Sequence, residues 1–219
     1  MEIMGTIGRL KRGDSFTSRW SLANDYLNHR KTAEALDIFY DLANEGFCEA
    51  YVEIGNILER GDKSTAPQDW ASARWWYMKA VEESEDSYGY VGLARLALNG
   101  FAEAGGIEDA IQYLNKAVSA NNPIAQTILG TIFHAGKIIE QDFIRAAHLY
   151  QSASDQGYVL PLIYLSKIRS QEGHFLVAIY LRLKAFGRAY NLARRNVSDP
   201  RLWNSISNKW LRIISEAAR

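Results

Sequence analysis

Residues 73–80 read Ala73-Arg74-Trp75-Trp76-Tyr77-Met78-Lys79-Ala80, and the same frame returns twice downstream. It reappears as Ala110-Ile111-Gln112-Tyr113-Leu114-Asn115-Lys116-Ala117 and as Ala146-Ala147-His148-Leu149-Tyr150-Gln151-Ser152-Ala153. The leading alanines stand 37 and 36 residues apart. Ala35-Leu36-Asp37-Ile38-Phe39 fits 38 residues before the first copy, and Ala178-Ile179-Tyr180-Leu181-Arg182-Leu183-Lys184-Ala185 fits 32 residues after the last. Five units in phase at this period indicate an array of one small supersecondary unit.

A second pattern precedes the later copies: small, three residues, apolar, small, then an apolar residue and a glycine. The clearest versions are Ala50…Ile54-Gly55…Leu58…Gly61 and Ala125…Leu129-Gly130…Phe133…Gly136. Gly89…Leu93-Ala94…Ala97…Gly100 is weaker, and Pro161…Leu165-Ser166 weaker still. The first unit, around Trp20, Ala23 and Leu27, is degenerate, as terminal repeats are. Apolar residues fall at i, i+3, i+4 and i+7, the helical period. Gly61, Gly100, Gly136 and Gly173 stand where a left-handed C-cap suits glycine. Asp69 and Asp142 stand where an N-cap or first-turn acid is stabilising. The alternation of strands is absent. Each unit therefore reads as two antiparallel helices, with small residues allowing close approach and aromatics filling the space between.

These residues resemble the Sel-one-like repeat (SLR) family, a tetratricopeptide-like family, through the D-x-x-x-A-x-x-W-Y/L-x-x-A half-pattern. The resemblance covers roughly residues 18–190 and is strongest over Ala50–Ser84 and Ala125–Gly157. Gly106 stands in place of the acid before Ala110, Ala97 is small for its site, and the fifth unit is short with Ser166 for glycine. The resemblance implies an all-α, right-handed α-solenoid of about five antiparallel helix-hairpin repeats with a C-terminal capping helix. The boundaries are 1–17 for a flexible or capping N-terminal segment and 18–196 for the repeats (about 18–46, 47–84, 85–121, 122–157 and 158–196). Residues 197–219 form an amphipathic C-terminal helix, making about eleven helices.

Composition fits this reading. Of 219 residues, 47% are apolar and 23% charged, with 4 prolines and 16 glycines, which excludes collagen-like and mostly disordered chains. Net charge is zero, against a polyanion-coating protein, and no nucleic-acid partner is expected. One cysteine, Cys48, excludes an intrachain disulfide or a thiolate metal cage. The longest apolar run, Tyr158–Leu165, is too short to span a bilayer, and residues 1–16 lack the apolar core of a secretion signal. The expected location is cytoplasmic, at most peripheral to the inner membrane.

Catalysis finds little support. His29, His134, His148 and His174 belong to no H-E-x-x-H, and neither G-x-S-x-G nor a P-loop occurs. Cys48 reads as a small buried hydrophobe. The acidic run Glu82-Glu83-Ser84-Glu85-Asp86 lacks EF-hand spacing and reads as a solvated loop. Trp75, Trp76, Tyr77, Tyr113 and Tyr150 recur at equivalent or adjacent positions and read as packing between repeats. No enzyme activity, cofactor or metal is expected.

Charge is distributed unevenly. Residues 158–219 hold 11 Lys and Arg but three acids, a net of +8, leaving −8 for residues 1–157. The C-terminal end would meet an acidic partner, an anionic membrane surface, or another copy's acidic end. Asp199-Pro200 starts a helix whose stripe is Leu202, Trp203, Ile206, Trp210, Ile213, Ile214 and Ala217, with Arg201, Lys209 and Arg212 elsewhere on the wheel. It reads as a cap on the array or as a ligand for a membrane or groove, with Arg201, Trp203, Lys209, Trp210 and Arg212 as its candidate surface.

Tetratricopeptide-like geometry implies that first helices line a concave groove. Asn56, Glu59, Arg60, Tyr88, Arg95, Asn99, Thr131, His134 and Lys167 then face a partner peptide or helix. The resulting expectation is a non-catalytic interaction scaffold or adaptor, often bacterial in this family, and a homo-oligomer is compatible with it. Two alternatives stay open. One is an accessory protein of bacterial envelope or exopolysaccharide synthesis and export, acting at a membrane through the basic end. The other is a hydrolase of the cysteine-rich SLR type, which the lone Cys48 disfavours.

Overall fold

The computed structural model describes residues 15–62, 66–195 and 201. Among these the chain is all-helical: ten α-helices, one 3₁₀ turn and a single isolated β-bridge between Asp62 and Ala66. The helices are α1 (Phe16–Asn28), α2 (Thr32–Asn44), α3 (Glu49–Arg60), α4 (Trp70–Ser84), α5 (Ser87–Leu98), α6 (Ile107–Ser119), α7 (Pro123–Ala135), α8 (Phe143–Asp155), α9 (Leu160–Gln171) and α10 (Phe175–Arg195). The chain forms two compact units, residues 1–92 and 93–219. The eleventh helix of the sequence reading lies outside the described residues. Of residues 1–17 only Ser15 to Thr17 are described, and Ser15 caps α1 by accepting from the Ser18 amide.

In the first unit α1 packs on α2, α2 on α3 and α3 on α4. Tyr77 of α4 is wholly buried and lies flat on Gly55 of α3 and Gly92 of α5. A Cβ at either glycine would come within 2.5 Å of the tyrosine ring, so hydrogen at those sites is what lets the helices close. In the second unit α6 packs on α7, α7 on α8, α8 on α9 and α9 on α10. Tyr150 of α8 repeats the arrangement against Gly130 of α7, where a Cβ would lie 2.9 Å from the ring.

The hairpin loops repeat as well. Asp69 caps α4 by accepting from the Ser72 amide at 2.9 Å, and Asp142 caps α8 from the Arg145 amide at 2.8 Å. Serine and arginine amides at these positions would otherwise be orphaned donors of the first turn. Just before each cap sits a glutamine that the sequence reading passed over. The Gln68 amide donates to the Glu59 carbonyl and that of Gln141 to the His134 carbonyl, both at 2.8 Å. The preceding Gly61 and Gly136 have φ of 65° and 63°, and a Cβ on either would strike the glutamine.

The last hairpin departs from this plan. Ser166 stands where Gly55 and Gly130 stand, and Arg182 where Tyr77 and Tyr150 stand. The Arg182 Nε donates to Ser166 Oγ at 3.3 Å, so the two departures answer one another. Trp75 also departs from the packing expectation. It is 55% exposed and meets Trp76 edge-on, while Trp76 fills the space between Tyr40 and Tyr51.

Candidate functional site

The candidate residues fall on first helices of the hairpins, and the structure divides them. In the first unit, the Tyr77 hydroxyl donates to Glu59 Oε2 at 2.7 Å and lies 3.0 Å from Asn56 Oδ1. Glu59 is therefore buried, 8% exposed, because it satisfies a phenol the core encloses. Arg60 is exposed, its Nε donating to the Asn56 carbonyl. Tyr88 is exposed at the start of α5.

In the second unit Thr131 is buried for the same reason as Glu59. Its hydroxyl accepts from the Tyr150 hydroxyl at 3.2 Å and donates to the Thr127 carbonyl at 2.8 Å. The expectation that Glu59 and Thr131 face a partner is thus corrected: both serve the tyrosine of the following helix. Arg95 is half-buried on α5, and Asn99 follows the end of that helix. His134 is half-buried on α7, edge-on to Phe143 and Tyr150 with centroids 5.5 and 6.2 Å away. Burial pushes its pKa down; the neighbouring Lys167 charge adds to this, and a hydrogen bond with Gln171 opposes it. Lys167 is exposed on α9, its ammonium 5.2 Å from the centroid of the Tyr164 ring. Tyr164 stacks obliquely on Tyr150 at 5.2 Å, and burial pushes its phenol up to about 12.

The structure therefore gathers His134, Lys167, Gln171, Tyr164 and Tyr150 into one neighbourhood on α7, α8 and α9. Sequence reasoning named only the first two as partner-facing. Gln171 was findable, one helical turn past Lys167 on the same face. Its pairing with His134 was not, since the two lie on different helices.

A rule links each residue after the small site of a first helix to its second helix. Where the second helix offers a tyrosine, that residue is a hydrogen-bonding Asn56 or Thr131. Where it offers Leu114 or Arg182, that residue is a long cation, Arg95 or Lys167. The variation among these four positions is partly internal bookkeeping of buried hydroxyls. The two cations remain the recognition candidates.

Arg201 is exposed, and its carbonyl accepts from the Val159 amide at 3.2 Å. Trp203, Lys209, Trp210 and Arg212 lie outside the described residues. Among the described residues no cluster of His, Cys, Asp or Glu could hold a metal. Cys48 is partly exposed ahead of α3, its Sγ 3.7 Å from the Gly46 carbonyl. No helix among them is long and apolar enough to cross a membrane.

A family model described as the Sel1 repeat matches residues 48–84, 87–122 and 123–158. The chain belongs to the Sel1 repeat family. The three Sel1 matches coincide with α3–α4, α5–α6 and α7–α8, the hairpins carrying the fullest frames.

Among solved structures, the Sel1 chain is similar to c5321, a protective antigen of uropathogenic Escherichia coli with an SLR fold. The TM-score is 0.64 at 18% identity, over 94% of this chain and 48% of that one. It thus spans about half the length of that antigen. It is similar to a Sel1 repeat protein from Oxalobacter formigenes, with TM-score 0.63 at 16% identity over 92% and 87% of the two chains. It is also similar to the immunity protein Pa5087 of Pseudomonas aeruginosa, with TM-score 0.57 at 17% identity over 93% and 83%. These likenesses place the fold among SLR solenoids. No curated protein matches the sequence. Sel1 repeats generally serve as non-catalytic protein-interaction scaffolds.

Proposed function

We propose that this Sel1 chain is a non-catalytic adaptor that holds a partner peptide or helix on the faces of its first helices. The observation carrying this reading is the neighbourhood of His134 and Lys167. The exposed Lys167 ammonium lies 5.2 Å from the buried Tyr164 ring, beside the half-buried His134 imidazole, which meets the half-buried Phe143 ring edge-on. Such a surface reads a carboxylate or backbone carbonyl beside an apolar side chain, the alternation a peptide offers. Arg95 and Asn99 extend the recognition set in the second unit, and Arg60 and Tyr88 are its candidates in the first.

The test is capture from native cells with a variant carrying Arg60→Ala, Arg95→Ala and Lys167→Ala. Asn56, Glu59 and Thr131 are spared because they support buried tyrosines. The variant is expected to melt as the parent does and to lose the proteins that the parent captures. Full capture by a well-folded variant removes this face from consideration.

A second reading rests on α10, whose exposed surface combines apolar residues with Arg182, Lys184, Arg194 and Arg195. That composition suits an accessory role at an anionic membrane, as in envelope or exopolysaccharide assembly. Co-sedimentation with phosphatidylglycerol vesicles, lost in a variant carrying Lys184→Glu, Arg194→Glu and Arg195→Glu, would favour it.

A further inference from the structure

Helix α10 has two apolar faces, and the described residues cover one of them. Ala178, Leu181 and Ala185 are buried against α9, with Ala189 and Leu192 packed beside them. The other face is centred on Leu183, with Leu176 and Tyr190 two turns before and after it. Ile179 and Phe186 lie to one side of that line, Tyr180 and Gly187 to the other. The six large side chains of this face are exposed, Leu176 by 84% and Phe186 by 73%. Leaving them in water forgoes most of the energy their burial would supply.

The glycine on this face points to the neighbour that fits it. Gly55, Gly89, Gly92 and Gly130 also stand inside helices, and a Cβ on any of them would come within 3.0 Å of an adjoining helix. At Gly55, Gly92 and Gly130 the space is taken by a tyrosine ring. A Cβ on Gly187 would meet nothing within 4 Å, so among the described residues nothing uses the space of a glycine that weakens its helix. Tyr180 is exposed on the same side of the same face. A two-fold axis at Leu183, perpendicular to α10, brings that side of one helix onto the same side of another. It lays Tyr180 of each copy on Gly187 of the other, Ile179 on Phe186, and Leu176 beside Tyr190. The tyrosine-on-glycine lock of the hairpins is thereby repeated between chains.

Charge sets the direction of the pair. Helix α10 has no acid and ends in Arg194-Arg195, so two parallel copies would bring four cations together. In the antiparallel pair Arg194, eleven residues after Leu183, comes level with residue 172 of the other copy, eleven before it. That residue is Glu172, an exposed carboxylate that accepts from Arg169 of its own chain at 2.7 Å. Arg182 and Lys184 flank Leu183 at about 100° to either side and stand clear of the seam. The chain itself continues along another side of α10. The Arg201 carbonyl accepts from the Val159 amide, at the corner where Arg188 donates to the carbonyls of Ser154 and Tyr158. The face also suits a dimer in size. Three aromatic rings at about 150–250 Å² each, with Leu176, Ile179 and Leu183, approach the roughly 800 Å² per partner of a standard interface.

We propose that two copies of this chain pair through the outer face of α10, antiparallel about a two-fold axis at Leu183. The pairing does not depend on the groove proposed above, and it takes the face that the membrane reading would use.

The test is sedimentation of the full-length chain between about 1 and about 100 μM, a range in which it is expected to pass from monomer to dimer. Gly187→Ala is expected to weaken the dimer at least about tenfold, while the dilute monomer melts no lower than the parent. Leu183→Asp is expected to abolish the dimer and leave the circular dichroism of the monomer unchanged. On a Cys48→Ser background, Leu183→Cys is expected to oxidise to a disulfide-linked dimer. Leu176→Cys, about 21 Å from its counterpart in this register, is expected to do so at least about tenfold less. A chain still monomeric at about 100 μM, or one that binds phosphatidylglycerol vesicles without ever dimerising, overturns the proposal. So does a dimer indifferent to both Gly187→Ala and Leu183→Asp, or equal crosslinking from the two cysteine positions.

Discussion

Hairpins α7–α8 and α9–α10 follow one another in the second unit, yet they treat their second helices differently. Helix α8 locks onto α7 through Tyr150 over Gly130, and Ile144 is its one large apolar residue left exposed among those described. Helix α10 replaces that lock with the Arg182–Ser166 hydrogen bond and exposes eight large apolar residues. A hairpin in the middle of a stack is finished by the next one, so its second helix is apolar on both flanks and wet on neither. The α9–α10 hairpin has the apolar composition of a middle member while standing last among the described residues. Local sequence separates their locks, Tyr150 over Gly130 against Arg182 on Ser166, while position in the array separates their exposed faces.

The largest expected effect tests the lock itself. Tyr150→Ala removes a fully buried ring and its hydroxyl partner, and is expected to cost about 3–5 kcal/mol in urea unfolding. Arg182→Ala, at the equivalent site, is expected to cost about 1 kcal/mol, the worth of one hydrogen bond. Equal losses would erase the contrast between the hairpins.

Helical glycines give the next largest difference. Gly130→Ala drives a Cβ to within 2.9 Å of Tyr150 and is expected to destabilise by about 1–3 kcal/mol. Gly187→Ala on α10 meets nothing within 4 Å and is expected to stabilise by about 0.5–1 kcal/mol through helix propensity alone. Thermal melting of the two variants side by side reads the opposite signs.

A double-mutant cycle then asks whether the last hairpin can be converted. Arg182→Tyr alone sets a ring against the Ser166 side chain, whereas Arg182→Tyr with Ser166→Gly restores the internal pair. A favourable coupling of about 1–2 kcal/mol is expected from chemical denaturation. Strict additivity would show that the two positions do not meet.

The smallest effect concerns pH. Burial, helped by Lys167, holds the His134 pKa below its ordinary value, with only the Gln171 hydrogen bond opposing. The folded protein therefore disfavours the imidazolium. This contribution to stability is present above the unfolded value of about pH 6.5 and is lost as pH falls from there through the lowered folded pKa. The ring's other neighbours, Phe143 and Tyr150, carry no charge there. His134→Gln is expected to flatten the fall in melting temperature between about pH 7 and pH 5. An unchanged slope would assign the pH dependence to other groups.

Much of the fold was legible residue by residue. Asp69 and Asp142 announced helix starts, Gly61 and Gly136 announced helix ends, and Gly55 and Gly130 announced close approach. Each is a local requirement of backbone geometry, so each repeats in the sequence at the period of the hairpin. The Gln68 and Gln141 brackets were equally local and equally repeated, and were overlooked because the glutamine does not belong to an apolar pattern. The candidate face was less legible. Glu59 and Thr131 are polar, lie on first helices and read as solvent-facing. Whether a polar group faces water depends on what lies across from it. For these two it is a tyrosine 18 and 19 residues further along.

The sequence by itself determined that this chain is a run of helical hairpins, because helical period, capping and glycine turns act over four residues or fewer. Tertiary structure alone decided which polar side chains are consumed inside and which are offered outside. A buried hydroxyl must find its acceptor on another helix, and that helix's position is set by packing rather than by any short stretch of chain. It also decided that the face of α10 bearing Leu176, Leu183 and Phe186 is left exposed by the described residues, since an apolar stripe has the same sequence whether or not a neighbour covers it.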